Sequence, residues 1–362
     1  MRLNRDGVEA GRILKQGRET IAVRVTDLYF QAHPKLELNW KDARKKCTED
    51  TGRHIDHLAE ALHLGQPALF TEYAVWIAVL LARLRINSEA LSSNLRILGD
   101  IASSELDDAG RAMVSSYLGA AIARIAAAAS ELPCYMDGTG YLDVLGRDYL
   151  AALLRGDRRL ASKLILDSVE RGAPVKDIYL QVFQRSQYEI GRLWQINEIT
   201  VAKEHYCTAA TQLIMSQLYP HIFAGEKNGG TYVGTCVSGN LHEIGGRMIA
   251  DFFEMAGWNS YYLGANTPAE SVVDTLIERQ ADILGISATM TGTLGAVEEL
   301  VEIVRARSAC AGVKILVGGH PFNIAPDLWH AVDADGTATD AESAIQLAGR
   351  LVENGAVRER SS

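Results

Sequence analysis

Asn240-Leu241-His242-Glu243-Ile244-Gly245, then Ser287-Ala288-Thr289, then Gly318-Gly319 punctuate the last third of the chain. Each lies at or just past the end of a short β-rich run: Thr231–Cys236, Asp282–Ser287 and Val313–Val317, with a further run at Ser260–Leu263. Between the runs, helical stretches begin near Glu243, Pro268, Leu294 and Asn323. Strand and helix in alternation predict a parallel, Rossmann-like sheet built from right-handed βαβ units. Ligands on such sheets sit at the carboxyl ends of the strands. The three pieces therefore fall on one binding edge, within a domain spanning 229–355.

Upstream the period changes to that of helices. Residues 142–225 predict a four-helix block, punctuated by Gly156-Asp157 and Gly172-Ala173-Pro174 and ended by Pro220. Asp137-Gly138-Thr139-Gly140 reads as the linker before it. Residues 1–136 predict a further helical domain, with apolar residues at three- and four-residue spacing through Ile55, Leu58 and Leu62 and through Val75, Val79 and Leu80. Pro67 suits the first turn of a helix. The fold class expected is thus α plus α/β.

Composition excludes several classes. The 362 residues are 48% hydrophobic and 22% charged, ordinary for a globular protein, and the net charge of −9 argues against nucleic acid as main partner. Cys47, Cys134, Cys207, Cys236 and Cys310 are scattered, with no CxxC, and read as free thiols of a reducing compartment. The start, Met1 to Asp6, has no apolar signal region, and the most apolar stretch, Ala74 to Ala82, is too short to span a membrane and ends at Arg83. A cytoplasmic protein without membrane attachment is expected.

The register of the three pieces resembles the cobalamin-binding fold of methionine synthase and its relatives, whose pattern is Asp-x-His-x-x-Gly, Ser-x-Leu and Gly-Gly. The resemblance implies that His242 is the lower axial ligand to cobalt, in place of the cofactor's own base. It implies a slot for the nucleotide tail lined by Ser287, with Gly318 and Gly319 giving bare backbone, and with Gly239, Leu241, Glu243 and Gly245 around the loop. Two departures stand out. Asn240 replaces the usual carboxylate, so it can orient His242 without adding negative charge; its other reading is a helix cap. Thr289 replaces the usual Leu, and Thr291 follows two residues on. The stretch Ala334 to Asp340, with Gly336 and Thr337, resembles the loop that covers the tail's base.

The upper face is carried by the helical block. On a helix Val201, Glu204, His205 and Thr208 share one face, and polar groups there cost free energy unless partnered. The bland reading is a solvated Lys203-Glu204-His205 run. Trp194, with Val201 seven residues later and Glu204-His205 after ten, resembles CarH-type cobalamin photoreceptors. That resemblance implies Trp194 and Val201 as walls of an adenosyl pocket, Glu204 as its anchor and His205 as a second metal ligand after light breaks the cobalt–carbon bond. It implies adenosylcobalamin as cofactor, a light-dependent homo-oligomer, an unspecified signalling partner and no enzymatic activity.

The first 136 residues hold His33, Trp40, His54, His57, His63, Tyr73 and Trp76, most of which are expected to be structural. The block resembles non-haem globin domains of bacterial stress sensors. The whole architecture resembles the photocobilins, which implies a non-covalent bilin such as biliverdin as second chromophore. Two other readings remain: a corrinoid carrier subunit of a methyltransferase or mutase, and a helical interaction sensor whose cobalamin fold has lost its cofactor.

Overall fold

A computed structural model describes residues 4–38, 42–127, 132–223 and 225–359. It divides into two compact units. One comprises residues 1–130, 288–299 and 320–334, the other 131–287, 300–319 and 335–362.

The first unit holds α1 (Arg5–Ala32), α2 (Pro34–Leu38), α3 (Ala43–His63), α4 (Pro67–Arg83), α5 (Ser88–Ser104) and α6 (Asp108–Ala127). Asn4 caps α1 by accepting from the Asp6 N–H, and Asn87 caps α5 in the same way. Pro67 is the first residue of α4, where its missing N–H costs nothing. Ile55, Leu58 and Leu62 are fully buried along α3, as their spacing predicts. Leu14, Ile21 and Val25 of α1 are buried as well. Gly7 and Gly11 let α1 lie against the backbone of α3; a Cβ on Gly7 would stand 2.4 Å from the Leu62 carbonyl oxygen.

The second unit begins with the helical block: α7 (Tyr141–Leu154), α8 (Arg158–Glu170), α9 (Val175–Asp177), a π-helical stretch (Ile178–Gln184), α10 (Arg185–Gln195), α11 (Val201–Gln217) and α12 (Tyr219–Ile222). α9, the π stretch and α10 run on as one rod, so the block has four long pieces as expected. Pro220 does not end it; it sits in the first turn of α12. The expected linker at 137–140 is tied down: Arg147 and Arg185 donate to the carbonyls of Tyr135, Met136, Asp137 and Gly138.

The sheet follows: β1 (Thr231–Cys236), α13 (Ile244–Met255), β2 (Asn259–Ala265), α14 (Ala269–Arg279), β3 (Ile283–Ser287), α15 (Leu294–Ala306), β4 (Lys314–Gly318), α16 (His320–Ile324), α17 (Leu328–Ala331), β5 (Gly336–Thr337) and α18 (Ala341–Glu359). All strands are parallel, in the order β2-β1-β3-β4-β5. β1 is buried throughout, the pattern of a strand covered on both faces. Two details differ from the sequence reading. Gly336–Thr337, expected in a loop, form β5, and the helix expected near Asn323 starts at His320, because Gly318-Gly319 frees the chain to turn immediately after β4.

Strand order reverses at β1. The crevice between the ends of β1 and β3 is therefore the topological switch point where such sheets take ligands. Cys236 pairs with Ser287, and Ser287 with Gly318. Three motif pieces far apart in sequence thus end on neighbouring strands. One apolar core joins the helical block to α13: Tyr149, Tyr179 and Phe183 pack with Met248 and Phe252. Burying each of the larger side chains stabilises by about 1.5–3 kcal/mol.

Candidate functional site

The loop after β1 presents His242. Asn240, with 0% of its surface exposed, lies beneath it. The Asn240 Nδ2 donates to the Ser287 carbonyl at 3.3 Å, which fixes the amide's orientation. Its Oδ1 then accepts from the His242 backbone N–H at 3.3 Å and stands 3.3 Å from His242 Nδ1. An amide oxygen only accepts, so Nδ1 carries the proton and Nε2 presents its lone pair. Asn240 does not cap α13: the residue before that helix is Glu243, whose side chain makes no capping bond.

The rest of the loop is shaped around this. Gly239 has φ +80°, a conformation that favours glycine, and donates its N–H to Asn266 Oδ1 at 2.7 Å. Leu241 is 73% exposed, a large apolar side chain left open beside the imidazole. Glu243 accepts from Gln212 of α11 at 2.9 Å, joining the loop to the helical block. A Cβ on Gly245 would meet nothing within 4 Å.

Of the tail-slot candidates, Ser287 and Gly318 are the last residues of β3 and β4. A Cβ on Gly318 would find its nearest neighbour only at 3.9 Å, and Gly319 has φ +112°. Gly336 is different: a Cβ there would press within 2.8 Å of Leu347, so its bareness seats α18. The neighbouring Thr337 Oγ1 is buried without a hydrogen-bond partner. Thr289 and Thr291 follow Ser287 in the chain but belong to the first compact unit, where Thr291 is buried at the start of a 3-10 turn.

In the helical block, Trp194 is half-buried in the last turn of α10. Asn197, at φ +60°, turns the chain, and Thr200 caps α11 by accepting from the Lys203 N–H. Val201, Glu204, His205 and Thr208 occupy the first two turns of α11. Val201 is 53% exposed. Thr208 Oγ1 donates to Glu204 Oε1 at 3.0 Å, and the other oxygen of Glu204 meets His205 Nδ1. The His205 side chain is 74% exposed. Glu204 and His205 are partnered with each other, on a stretch where Val201, Lys203 and His205 are exposed, as the solvated reading expects.

The N-terminal residues turn inward. His54 Nδ1 meets the Tyr73 hydroxyl at 2.8 Å, and His57 stacks on the Tyr73 ring at 3.7 Å. Burial pushes His54 down to about 3 and His57 down to about 4, so both are neutral. His33 reaches Ser93 and His63 reaches Glu298, each at 2.9 Å; Trp76 is half-buried, and Trp40 lies outside the described residues.

Sequence reasoning missed a seam between the helical block and α13. The Tyr179 hydroxyl donates to Asp251 at 2.8 Å. Burial pushes the Asp251 carboxyl up to about 6, with Arg247 opposing. Arg247 donates to the Gln212 carbonyl, Ser216 and Tyr219. A cavity of about 310 Å³ lies here, lined by Gln212, Tyr219, Glu243, Arg247, Asp251 and Glu254. Only the π stretch, which brings Tyr179 to Asp251, would have flagged it, and π geometry has no sequence signature of its own.

Parallel sheet, switch-point histidine and helical block together define a corrinoid-binding fold. The B12 binding domain family matches residues 230–346, and a second B12 binding domain family matches residues 145–219. The chain is 28% identical over 207 residues to a corrinoid protein of Desulfitobacterium hafniense (strain Y51), covering 56% of this chain and 94% of that one. It is 30% identical over 139 residues to dimethylamine corrinoid protein 3 of Methanosarcina mazei, covering 38% and 81%. The solved monomethylamine corrinoid protein of Methanosarcina barkeri superposes with a TM-score of 0.51 at 21% identity, covering 58% of this chain and 98% of that one, and so shares its fold. The chain belongs to the B12-binding corrinoid protein family. Its residues fit such a group: one oriented imidazole with a free Nε2, an exposed apolar Leu241 beside it, the open backbone of Gly318 and the unpartnered Thr337 hydroxyl. Among the described residues no helix is long and apolar enough to cross a membrane.

Proposed function

We propose that the chain is a cytoplasmic light sensor, not an enzyme, that holds adenosylcobalamin through His242 as lower axial donor. The observation that carries this reading is the Glu204–His205 pair on α11. Like His242, His205 has Nδ1 set against an oxygen, which leaves Nε2 as the ring's metal donor. Adenosylcobalamin, when bound, supplies a cobalt–carbon bond that visible light breaks. Trp194 and the exposed Val201 would wall the bound adenosyl group, Glu204 would anchor it, and His205 would offer the metal a second imidazole donor. A donor on the first turns of α11 would tie the pose of that helix to the state of the bound group, and through it the contacts of a homo-oligomer and an unidentified signalling partner. A bilin such as biliverdin in the N-terminal unit is the further part of this reading.

A second reading is a corrinoid carrier for a methyltransferase. The relatives favour it more directly than the sensor, since those named above are corrinoid proteins and two are named for methylamines. The upper-face residues favour the sensor, as do the helices of residues 4–127, which precede both matched segments. The deciding experiment is an absorption spectrum and elution volume of the full chain with adenosylcobalamin, in the dark and after green light. A lasting change of both supports the sensor. A spectrum that light leaves unchanged, or that recovers in the dark, supports the carrier. A far-red band on adding biliverdin tests the second chromophore separately.

A further inference from the structure

Two helices of the first compact unit meet through matched pairs of residues. On α3, Glu60 and His63 are three apart; on α15, Gly295 and Glu298 are three apart, so each pair shares one face. His63 Nε2 lies 2.9 Å from Glu298 Oε2, with both side chains mostly buried. Glu60, only 2% exposed, pairs through Oε2 with Lys15 at 2.6 Å. Its Oε1 is buried without a hydrogen-bond partner. A Cβ on Gly295 would stand 3.5 Å from that oxygen, so it faces the first turn of α15. Free N–H groups and the positive end of the helix dipole lie there.

An unpaired buried acceptor is costly, and a small approach of α15 would satisfy it. The strain sits at an informative place. Residues 288–299, which α3 holds, begin directly after Ser287 and carry Thr289 and Thr291. α4 likewise packs on α16, which begins directly after Gly318-Gly319. The N-terminal helices thus grip the segments that continue from two tail-slot elements.

We infer that α3 reads corrinoid loading through a two-point latch, Glu60 on the first turn of α15 and His63 on Glu298. Loading draws the segment after Ser287 toward α3, the first turn of α15 closes on Glu60, and α3 stiffens. Coupling of this kind is reciprocal, so weakening the latch weakens corrinoid binding by the same factor. The charged groups facing His63 are Glu298, Glu60 and Lys15. The hydrogen bond to Glu298 raises the pKa of His63, so the latch is complete at acidic pH and is lost as pH rises through that raised value. The inference requires the corrinoid fold alone and is independent of what the upper face does.

Hydrogen–deuterium exchange of peptides within 43–63 of the full chain, with and without hydroxocobalamin, tests it. Loading should slow exchange in α3 by about 5-fold or more. Glu298→Gln and Glu60→Gln should each abolish that response and weaken hydroxocobalamin binding by about 5-fold. Glu298→Gln carries the test if the more deeply buried Glu60→Gln fails to fold, because it keeps the side chain's shape and removes only the charge set against His63. Equal α3 exchange in loaded and unloaded parent protein overturns the inference, as does a full response in Glu298→Gln. Loss of the light response alone leaves it standing.

Discussion

The side-chain oxygen of Asn240 stands 3.3 Å from both the backbone nitrogen and Nδ1 of His242. One neutral amide, itself held by the Ser287 carbonyl, therefore orients the imidazole from below. Asn240→Leu removes all three contacts while keeping the volume. It should weaken hydroxocobalamin retention by about 10- to 100-fold, the usual effect of losing a ligand's hydrogen-bond partner. A spectrophotometric titration measures this, and unchanged affinity would show that His242 needs no such support.

Asn240→Asp should change how the bound corrinoid's spectrum depends on pH. A carboxylate against Nδ1 adds a titratable group beside the imidazole that the parent's amide does not provide. Spectra of parent and variant recorded from pH 4 to 8 check this, with different profiles expected and identical profiles counting against it.

Gly285→Ala should destabilise the sheet. A Cβ there would stand 2.1 Å from the Tyr232 hydroxyl, and the Tyr232 ring is stacked on Phe253 at 3.9 Å and cannot step aside. Overpacking of this kind costs about 1–3 kcal/mol or more. Urea unfolding followed by fluorescence reads it as a lowered midpoint.

Asp251 sets a pH dependence whose sign is fixed. Burial raises its folded pKa to about 6, above the roughly 3.9 of an unfolded Asp. Between those values the folded state holds the proton more tightly, so this group's contribution falls as pH rises from about 4 to 6 and then levels. Asp251→Asn should flatten that part of the stability profile, by on the order of 2 kcal/mol. Denaturation midpoints of parent and variant at pH 4.5 and 7 decide it. Parallel profiles would mean that Arg247 already compensates the charge.

His205→Ala should leave adenosylcobalamin light-sensitive but change what light produces. The variant's illuminated spectrum should differ from the parent's, because the upper donor is gone. Identical illuminated spectra would remove His205 from the account.

The sheet was legible because its strands are short, β-rich and broken by glycines, and because Ser287 and Gly318 end neighbouring strands as the motif spacing requires. Helical periodicity puts Glu204 and Thr208 on one face, and they bond, but it gives no sign of the contact between the neighbours Glu204 and His205. Gly336 looked like a tail contact, yet it makes room for Leu347, a partner eleven residues on that no local pattern reveals. Tyr179–Asp251 and His63–Glu298 join residues remote in sequence, and only packing brings them together. The division of the chain is similar: residues 288–299 follow a strand in sequence but pack with the N-terminal helices.

On the proposed reading His242, not the cofactor's own base, holds cobalt from below. Electron paramagnetic resonance of the full chain with reduced, cobalt(II) cobalamin, made with ordinary and with ¹⁵N-labelled histidine, tests it directly. A nitrogen splitting that changes from a triplet to a doublet with labelled protein, and is lost in His242→Ala, is the predicted result. A triplet that persists with labelled histidine would mean that the cofactor keeps its own base, and would contradict the account.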